Sequence, residues 1–407
     1  MEKNFNEMID VVLAGIRKLP NPPRDKVELE FLKMKEMIVD SRPPRVMVFG
    51  RRGAGKSSLL NAIFKAQVAK TGSVTSQTGA STWHTYKGAK GSMDIMDTRG
   101  AGDHTRPEDS LSDDFIDDIR PCVVEKCPDV ILFLCKAKEV DAHIKEDLNK
   151  VKEIQAFIRK ERSYEIPVIA VVTQVDELDP KRDTPPFSNA TKQANIVAAQ
   201  SALRQALKDC GIAASHLTAI SAYAEFDDTG AITHQEFWQI DELVSYLSEE
   251  LPLSAQLQFA RLSALKSAQH KLATILIGTA ATVCAAIAGT PIPVADIIPI
   301  TATQVAMVTG IGYVGGQELN KEAAIHFMAS LGLNVGAGYA LREAARALIK
   351  FVPIGGELVS SGIAAAGTWT LGKAAAAYFI DHRSHEEAVA EANRSAPPEH
   401  VAEPVIV

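Results

Sequence analysis

The rhythm of hydrophobic and polar positions changes along the chain, and each change marks an element or a domain. Residues 6–38 carry apolar side chains at helical spacing, with Met8, Val11, Val12, Ile16, Leu29, Leu32 and Ile38 as the stripes. They divide into two amphipathic helices at LPNPPRD, and SRPPR (41–45) follows as a linker. From 45 to about 252, short β-branched runs alternate with amphipathic stretches. The strands fall at 45–50, 81–87, 92–97, 129–136, 167–173 and 217–221, and the helices near 57–67, 140–161, 192–209 and 238–250. That alternation predicts an α/β fold: a mostly parallel six-stranded sheet with helices on both faces. Ligands of such sheets bind at the carboxyl ends of the strands.

After LPLSAQ (251–256) the periodicity fades into near-continuous apolarity. Only ten acidic and basic side chains occur in the 109 residues 272–380, where Ala, Gly, Ile, Val and Thr dominate. The tail beyond 385 returns to polar and Pro-containing sequence and is expected to be loose. Four segments result: an N-terminal helical segment (1–44), an α/β domain (45–252), an apolar all-α domain (253–385) and a flexible tail (386–407). Residues 272–290 are nineteen uncharged positions, long enough for a membrane span. Their six strong apolar residues contribute only roughly −2 to −4 kcal/mol toward insertion, and Thr and Gly erode that. Small residues at this density allow close helix contact in lipid or in a tight soluble bundle. The balance tilts toward a bundle able to associate with membrane.

Net charge of −7 argues against a broad nucleic-acid surface. Cysteines 122, 127, 135, 210 and 284 are scattered and form no C-x-x-C pair, which fits free thiols in a reducing cytosol. The N-terminus MEKNFNEMID has no apolar core of a secretory signal. A cytoplasmic protein is expected, lying on or in the cytoplasmic face of a membrane if the apolar half engages lipid.

The chemistry concentrates in GRRGAGKSSLLNAIF (50–64), which fits G-x-x-x-x-G-K-[ST] with Gly50, Gly55, Lys56 and Ser57. The backbone of Arg52, Gly53, Ala54, Gly55 and Ser58 would curl around phosphates. Lys56 would neutralise the β- and γ-phosphates, and the Ser57 hydroxyl would bind Mg²⁺. A strand before and a helix after supply the required context, placing the phosphates at a helix N-terminus. SMDIMDTRGAG then ends a strand with the D-x-x-G pattern Asp97-Thr98-Arg99-Gly100. Asp97 would hold Mg²⁺ through water, and the Gly100 N–H would meet the γ-phosphate.

The base is decided by Thr173-Gln174-Val175-Asp176, at the position where guanine-nucleotide proteins carry N-K-x-D. Guanine offers two donors on one edge, and a single carboxylate at Asp176 accepts both; adenine presents an acceptor there and is repelled. Thr173 lacks the amide of the usual Asn, while Gln174 keeps an aliphatic stem to lie over the base. Ser221-Ala222 in LTAISAY follows the last strand, where backbone N–H groups would meet the guanine O6.

Residues 45–252 resemble the Era-like branch of the translation-factor-related GTPases, in particular bacterial members with GKTGAGKSSLINAIF phosphate loops. They resemble the immunity-related and dynamin-like GTPases more distantly. The resemblance implies GTP and GDP as ligands, Mg²⁺ as cofactor and a switch threonine at Thr75, with Thr78 the competing candidate. Ras-like relatives place a water-orienting Gln after D-x-x-G; here that residue is Ala101, with Asp103 and His104 as possible substitutes. Lys56, Thr75, Gly100 and His104 are the candidate catalytic residues, and slow intrinsic hydrolysis is expected. Arg52 occupies a position where Ras-like proteins prefer Gly. It could crowd the water, or reach a phosphate in cis or across a homodimer. The apolar half resembles a helical domain found with bacterial Era-like GTPases and usually regarded as membrane-associated, sharing a P-x-P-x-x-D corner at Pro291, Pro293 and Asp296 with Gln304 beyond it. The expected function is a slow GTPase switch coupled to that domain, with a membrane surface or a second copy, joined through either domain, as partners. A GTP-controlled membrane-remodelling or pore-forming effector is the alternative, and an ATPase the lesser one.

Overall fold

The structure is a computed structural model and describes residues 2–19, 21, 23–69, 82–97, 115–140, 144–289, 297–318, 321–330 and 361–394. The chain divides into two compact units, one of residues 43–252 and one made of 1–42 together with 253–407.

In the first unit the strands are β1 (Arg45–Gly50), β2 (Thr82–Gly88), β3 (Gly91–Asp97), β4 (Val130–Lys136), β5 (Val168–Thr173) and β6 (His216–Ala219). They form one six-stranded sheet in the order β2-β3-β1-β4-β5-β6. Only β2 runs antiparallel, against β3; the other neighbours are parallel. Alternation along each strand sends Met47, Phe49, Ile131, Phe133, Ala170 and Val172 to one face. There they pack against α4 (Phe115–Glu125), α5 (Ile144–Arg162) and α6 (Ala190–Cys210) through Val123, Leu148, Val151 and Leu203. The opposite parity, including Val48, Leu132 and Val171, is also buried. The remaining helices, α3 (Lys56–Phe64) and α7 (Ile240–Glu250), lie in contact with each other. Burial on both faces explains why these strands read as continuous apolar runs.

Three elements of this unit escaped the periodicity, a helix and the two strands of a hairpin. Pro121 interrupts the pattern of α4, which buries only one side through Ile119, Cys122 and Val123. The strand expected over 217–221 is corrected: β6 stops at Ala219, the Ile220 N–H bonds the Val172 carbonyl, and Ser221 opens a second sheet. That sheet is an antiparallel hairpin of β7 (Ser221–Phe226) and β8 (Ile232–Trp238). Its exposed, mixed-polarity strands give no clean alternation. The helix expected over 140–161 is shifted; Ala137–Glu139 form a 3₁₀ turn, and α5 begins at Ile144.

The second unit contains α1 (Glu2–Ile16), α2 (Pro23–Ile38), α8 (Leu253–Ser263), α9 (Lys266–Ala288), α10 (Ile297–Val314), α11 (Lys321–Ser330), α12 (Ser361–Phe379) and α13 (His385–Arg394). Uncharged beyond Lys271, α9 packs against α2, α10 and α12. One core joins Val12, Ile16, Phe31 and Met34 of the N-terminal helices to Leu276, Val308, Phe327 and Trp369. The N-terminal segment and the apolar half therefore share one interior.

The stripes expected on α1 and α2 are corrected by a rotation. Val11, Leu29 and Leu32 are exposed, whereas Ile9, Leu19, Val27, Phe31, Met34 and Met37 are buried beside Val12, Ile16 and Ile38. The loose tail expected from 386 is corrected for 385–394, which form α13 with Ala388 and Ala392 buried. Polar groups inside the bundle bond locally: Thr303 donates to the Pro299 carbonyl at 2.8 Å and Thr309 to that of Val305 at 2.7 Å. The five cysteines are free, and burial pushes the Cys284 thiol up to about 12, which suits an inert core residue.

Candidate functional site

β1 runs out at Gly50, and α3 begins at Lys56. Between them the chain curls so tightly that Ala54 N–H bonds the Arg51 carbonyl at 3.0 Å. A side chain at Gly50 would put its Cβ 2.7 Å from the Leu134 carbonyl oxygen of the neighbouring strand, so only glycine fits there. Gly55 takes φ +86° as it caps α3, a left-handed conformation that glycine adopts without strain. The cap has no side-chain hydrogen bond, so the first-turn N–H groups of α3 point out of the helix for an anion to take. Lys56 Nζ folds back on the Gly50 carbonyl at 3.2 Å, close over the loop it would serve.

The two arginines of the loop divide their roles. Arg51 grips α5, donating to both oxygens of Asp147 at 2.7 and 3.2 Å, with Glu146 at 3.8 Å. Burial pushes the Asp147 carboxyl up, Arg51 pulls it back down, and the pairing raises Arg51 in turn. Arg52, by contrast, is exposed and makes no hydrogen bond or ion pair among the described residues.

The stretch 173–176 lies directly on this loop. Thr173, buried at the end of β5, donates its hydroxyl to the Ala54 carbonyl at 2.9 Å. Gln174, at φ +58°, donates its amide to the Gly53 carbonyl at 2.6 Å. A hydroxyl bond thus stands where an amide was expected at 173, and Gln174 tethers the stretch to the loop. A 3₁₀ turn, Val175–Glu177, follows and presents Asp176 half-buried. The Asp176 carboxylate makes no hydrogen bond or ion pair among the described residues, so both its oxygens are open to donors. Val175 N–H reaches the Ile220 carbonyl at 3.4 Å, joining this turn to the Ser221-Ala222 segment. Ser221 is fully buried and pairs with Trp238 as the first residue of β7, and Ala222 pairs with Phe237.

Beneath the turn sits a group that motif reading passed over. Lys192, in the first turn of α6, is 0% exposed. Its ammonium donates to the carbonyls of Asp176 and Leu178, each at 2.6 Å, and lies 4.9 Å from the centre of the Phe187 ring. Burial lowers its pKa, and the nearby carboxylates of Asp176, Asp183, Asp179 and Glu236 oppose that shift. A lysine on an otherwise polar helix carries no sequence signal of this kind.

The structure therefore brings together Gly50, Arg52, Gly53, Ala54, Gly55, Lys56, Ser57, Ser58, Thr173, Gln174, Asp176, Ser221 and Ala222. Asp97 closes β3, in backbone register with Val48 of β1 and Thr82 of β2. Thr75, Thr78, Gly100, Ala101, Asp103 and His104 lie outside the described residues.

Residues 45–174 match the family model described as 50S ribosome-binding GTPase. With the phosphate loop between β1 and α3 and the strand order above, the first unit has the P-loop GTPase fold. No curated protein matches the chain. Among solved structures it is similar to Era of Aquifex aeolicus bound to GDP·AlF4⁻, at 20% identity over 58% of this chain and 65% of that one, with a TM-score of 0.32. It is similar to Toc33 of Arabidopsis thaliana in complex with GDP and Mg²⁺, at 16% identity over 62% and 95%, with a TM-score of 0.31. A probable GTP-binding protein engB matches at 18% identity over 50% and 96%, with a TM-score of 0.26. The chain thus spans just under two thirds of the Era chain.

Proposed function

We propose that this protein binds GTP and GDP with Mg²⁺ and hydrolyses GTP slowly, as a switch whose output passes through the helical unit. One observation carries the reading. The turn bearing Asp176, whose carboxylate has no partner among the described residues, is bonded through Thr173 and Gln174 to the carbonyls of the phosphate loop. A ligand with an anionic chain and a base edge of two donors fits that arrangement. Adenine does not, because its acceptor would face the carboxylate. Ser57 supplies a hard oxygen at the helix start, and its hydroxyl makes no hydrogen bond among the described residues. With Asp97 at the end of β3, that donor set suits Mg²⁺ held largely by phosphate and water.

Calorimetry with GTP, GDP and ATP tests this directly. GTP and GDP are expected to bind in the presence of Mg²⁺ and ATP far more weakly. Lys56→Ala should weaken GTP by about 10²-fold, since each hydrogen bond to a charged group contributes about 1.5–3 kcal/mol. Unchanged affinity in that variant would remove the assignment. Turnover is the second measurement. With Ala101 in place of a water-orienting glutamine, phosphate release in dilute protein should stay near the roughly 10⁻⁴–10⁻² s⁻¹ of unassisted GTPases. A rate of about 1 s⁻¹ or more would contradict it; His104→Ala would then be the first variant to examine.

For the output, we place the membrane second to the protein's own interior. α9 is the one described helix long and apolar enough to cross a membrane, yet 72% of its apolar window is buried. Lipid contact would require α9 to shed the helices that cover it.

A further inference from the structure

Lys192 breaks two rules at once. Lysine is almost never fully buried without a partner of opposite charge, and a cation in the first turn of a helix opposes the helix dipole. Lys192 is 0% exposed and sits three residues after Asn189, the N-cap of α6, whose side chain accepts from the Thr191 and Lys192 N–H groups. Among the described residues, no carboxylate lies within ion-pair distance of its ammonium. Its two short bonds go instead to the carbonyls of Asp176 and Leu178. A desolvated charge is costly, and residues that violate local rules tend to serve a site.

The two carbonyls bracket one short turn. Asp176 lies within the 3₁₀ turn, and Leu178 follows it immediately. Binding both fixes the orientation of the 176–177 and 178–179 peptide groups, and the first of these sets the direction in which the Asp176 side chain leaves the backbone. The anchoring continues outward. The Phe187 ring lies on the ammonium, Phe187 meets Trp238 edge-on at 5.2 Å, and Trp238 is the register partner of Ser221. A neutral side chain of the same length could fill the space, but it could not donate to both carbonyls.

We propose that Lys192 is a positioning residue for guanine recognition: by donating to the Asp176 and Leu178 carbonyls it aims the Asp176 carboxylate at the base edge. The proposal rests on the nucleotide reading above and adds to it the residue that sets specificity without touching the base. Affinity for the phosphates belongs to the loop around Lys56, so loss of Lys192 should damage base discrimination first.

Inosine triphosphate provides the test, because it lacks the 2-amino group and gives Asp176 one donor where guanine gives two. In the full-length wild type, GTP should bind about ten- to hundredfold more tightly than ITP, the value of one hydrogen bond to a charged group. In Lys192→Met that ratio should fall toward one, because GTP loses two bonds to the carboxylate and ITP only one. In an Asp176→Ala background, adding Lys192→Met should leave GTP affinity unchanged, since the group being aimed is gone. Equal weakening of GTP and ITP by Lys192→Met, with the ratio intact, would overturn the proposal and reduce Lys192 to a structural part. Should Lys192→Met fail to fold by circular dichroism, Lys192→Gln keeps an amide donor on a shorter, uncharged side chain and should give an intermediate ratio; a wild-type ratio in that variant would equally overturn it. A wild type that does not bind GTP refutes the nucleotide reading itself, whereas a guanine-selective wild type with an insensitive ratio refutes only the role of Lys192.

Discussion

Asp176→Asn is expected to turn a guanine-selective site into a xanthine-selective one. The substitution is isosteric and disturbs little else, because the Asp176 carboxylate has no partner among the described residues. Its backbone is held from elsewhere, by Lys192 at 2.6 Å and by the neighbouring Val175–Ile220 contact. Guanine loses the ionised acceptor for both N1–H and its 2-amino group, and the asparagine NH₂ now faces that amino group donor to donor. Two hydrogen bonds to a charged group amount to about 3–6 kcal/mol, or roughly 10²–10⁴ in affinity. Xanthine carries an oxygen at position 2, which the aspartate repels and the asparagine can bind. Titrating GTP, XTP and ATP into both proteins measures the exchange. If the wild type binds ATP as tightly as GTP, the base is not read by Asp176.

What could be seen in the sequence follows from where each signal resides. The phosphate loop is legible because its constraints are local: Gly50 has no room for a Cβ, and Gly55 must take a positive φ. The buried strands are legible because both faces of the sheet are covered, leaving unbroken apolar runs such as 130–135. The hairpin of β7 and β8 is not, since its pattern reflects an exposed surface and its start at Ser221 depends on a single backbone bond from Ile220 to Val172. Thr173 and Gln174 look like departures from a motif, yet each still bonds the phosphate loop through a different group. Their equivalence lies in three-dimensional reach rather than residue type. Lys192 was invisible for the same reason, because its meaning comes from two carbonyls fourteen and sixteen residues away in the chain. The rotated stripes of α1 and α2 show the limit of periodicity. Several residues on each helix are apolar, and only packing against α9 and α10 selects which of them face inward.

That packing makes the N-terminal helices the most consequential segment outside the nucleotide site. Ile9, Val12, Ile16, Leu19, Val27, Phe31, Met34, Met37 and Ile38 all belong to the core shared with α9, α10 and α12. The fit is close: a Cβ on Gly15 would lie 2.7 Å from Pro299, and one on Gly310 would lie 3.1 Å from Ile38. Burying side chains of this size contributes about 1.5–3 kcal/mol each. Removing nine of them takes away roughly 13–27 kcal/mol as an upper bound, more than the roughly 5–15 kcal/mol that holds an ordinary domain folded. A chain beginning at residue 43 should therefore lose its helical unit, leaving α9 and α10 with an uncovered apolar face. It is expected to aggregate in buffer and to move to the floating fraction when liposomes are present. The fragment 43–252 should stay soluble and bind GTP in the same experiment, because its core cluster draws on its own residues alone. Flotation of the three proteins, full-length, 43–407 and 43–252, with and without vesicles, separates the outcomes. A monodisperse 43–407 that ignores vesicles would mean that α9 and α10 close on α12 without their cover, and the N-terminal helices would then have no part in withholding the apolar half from lipid.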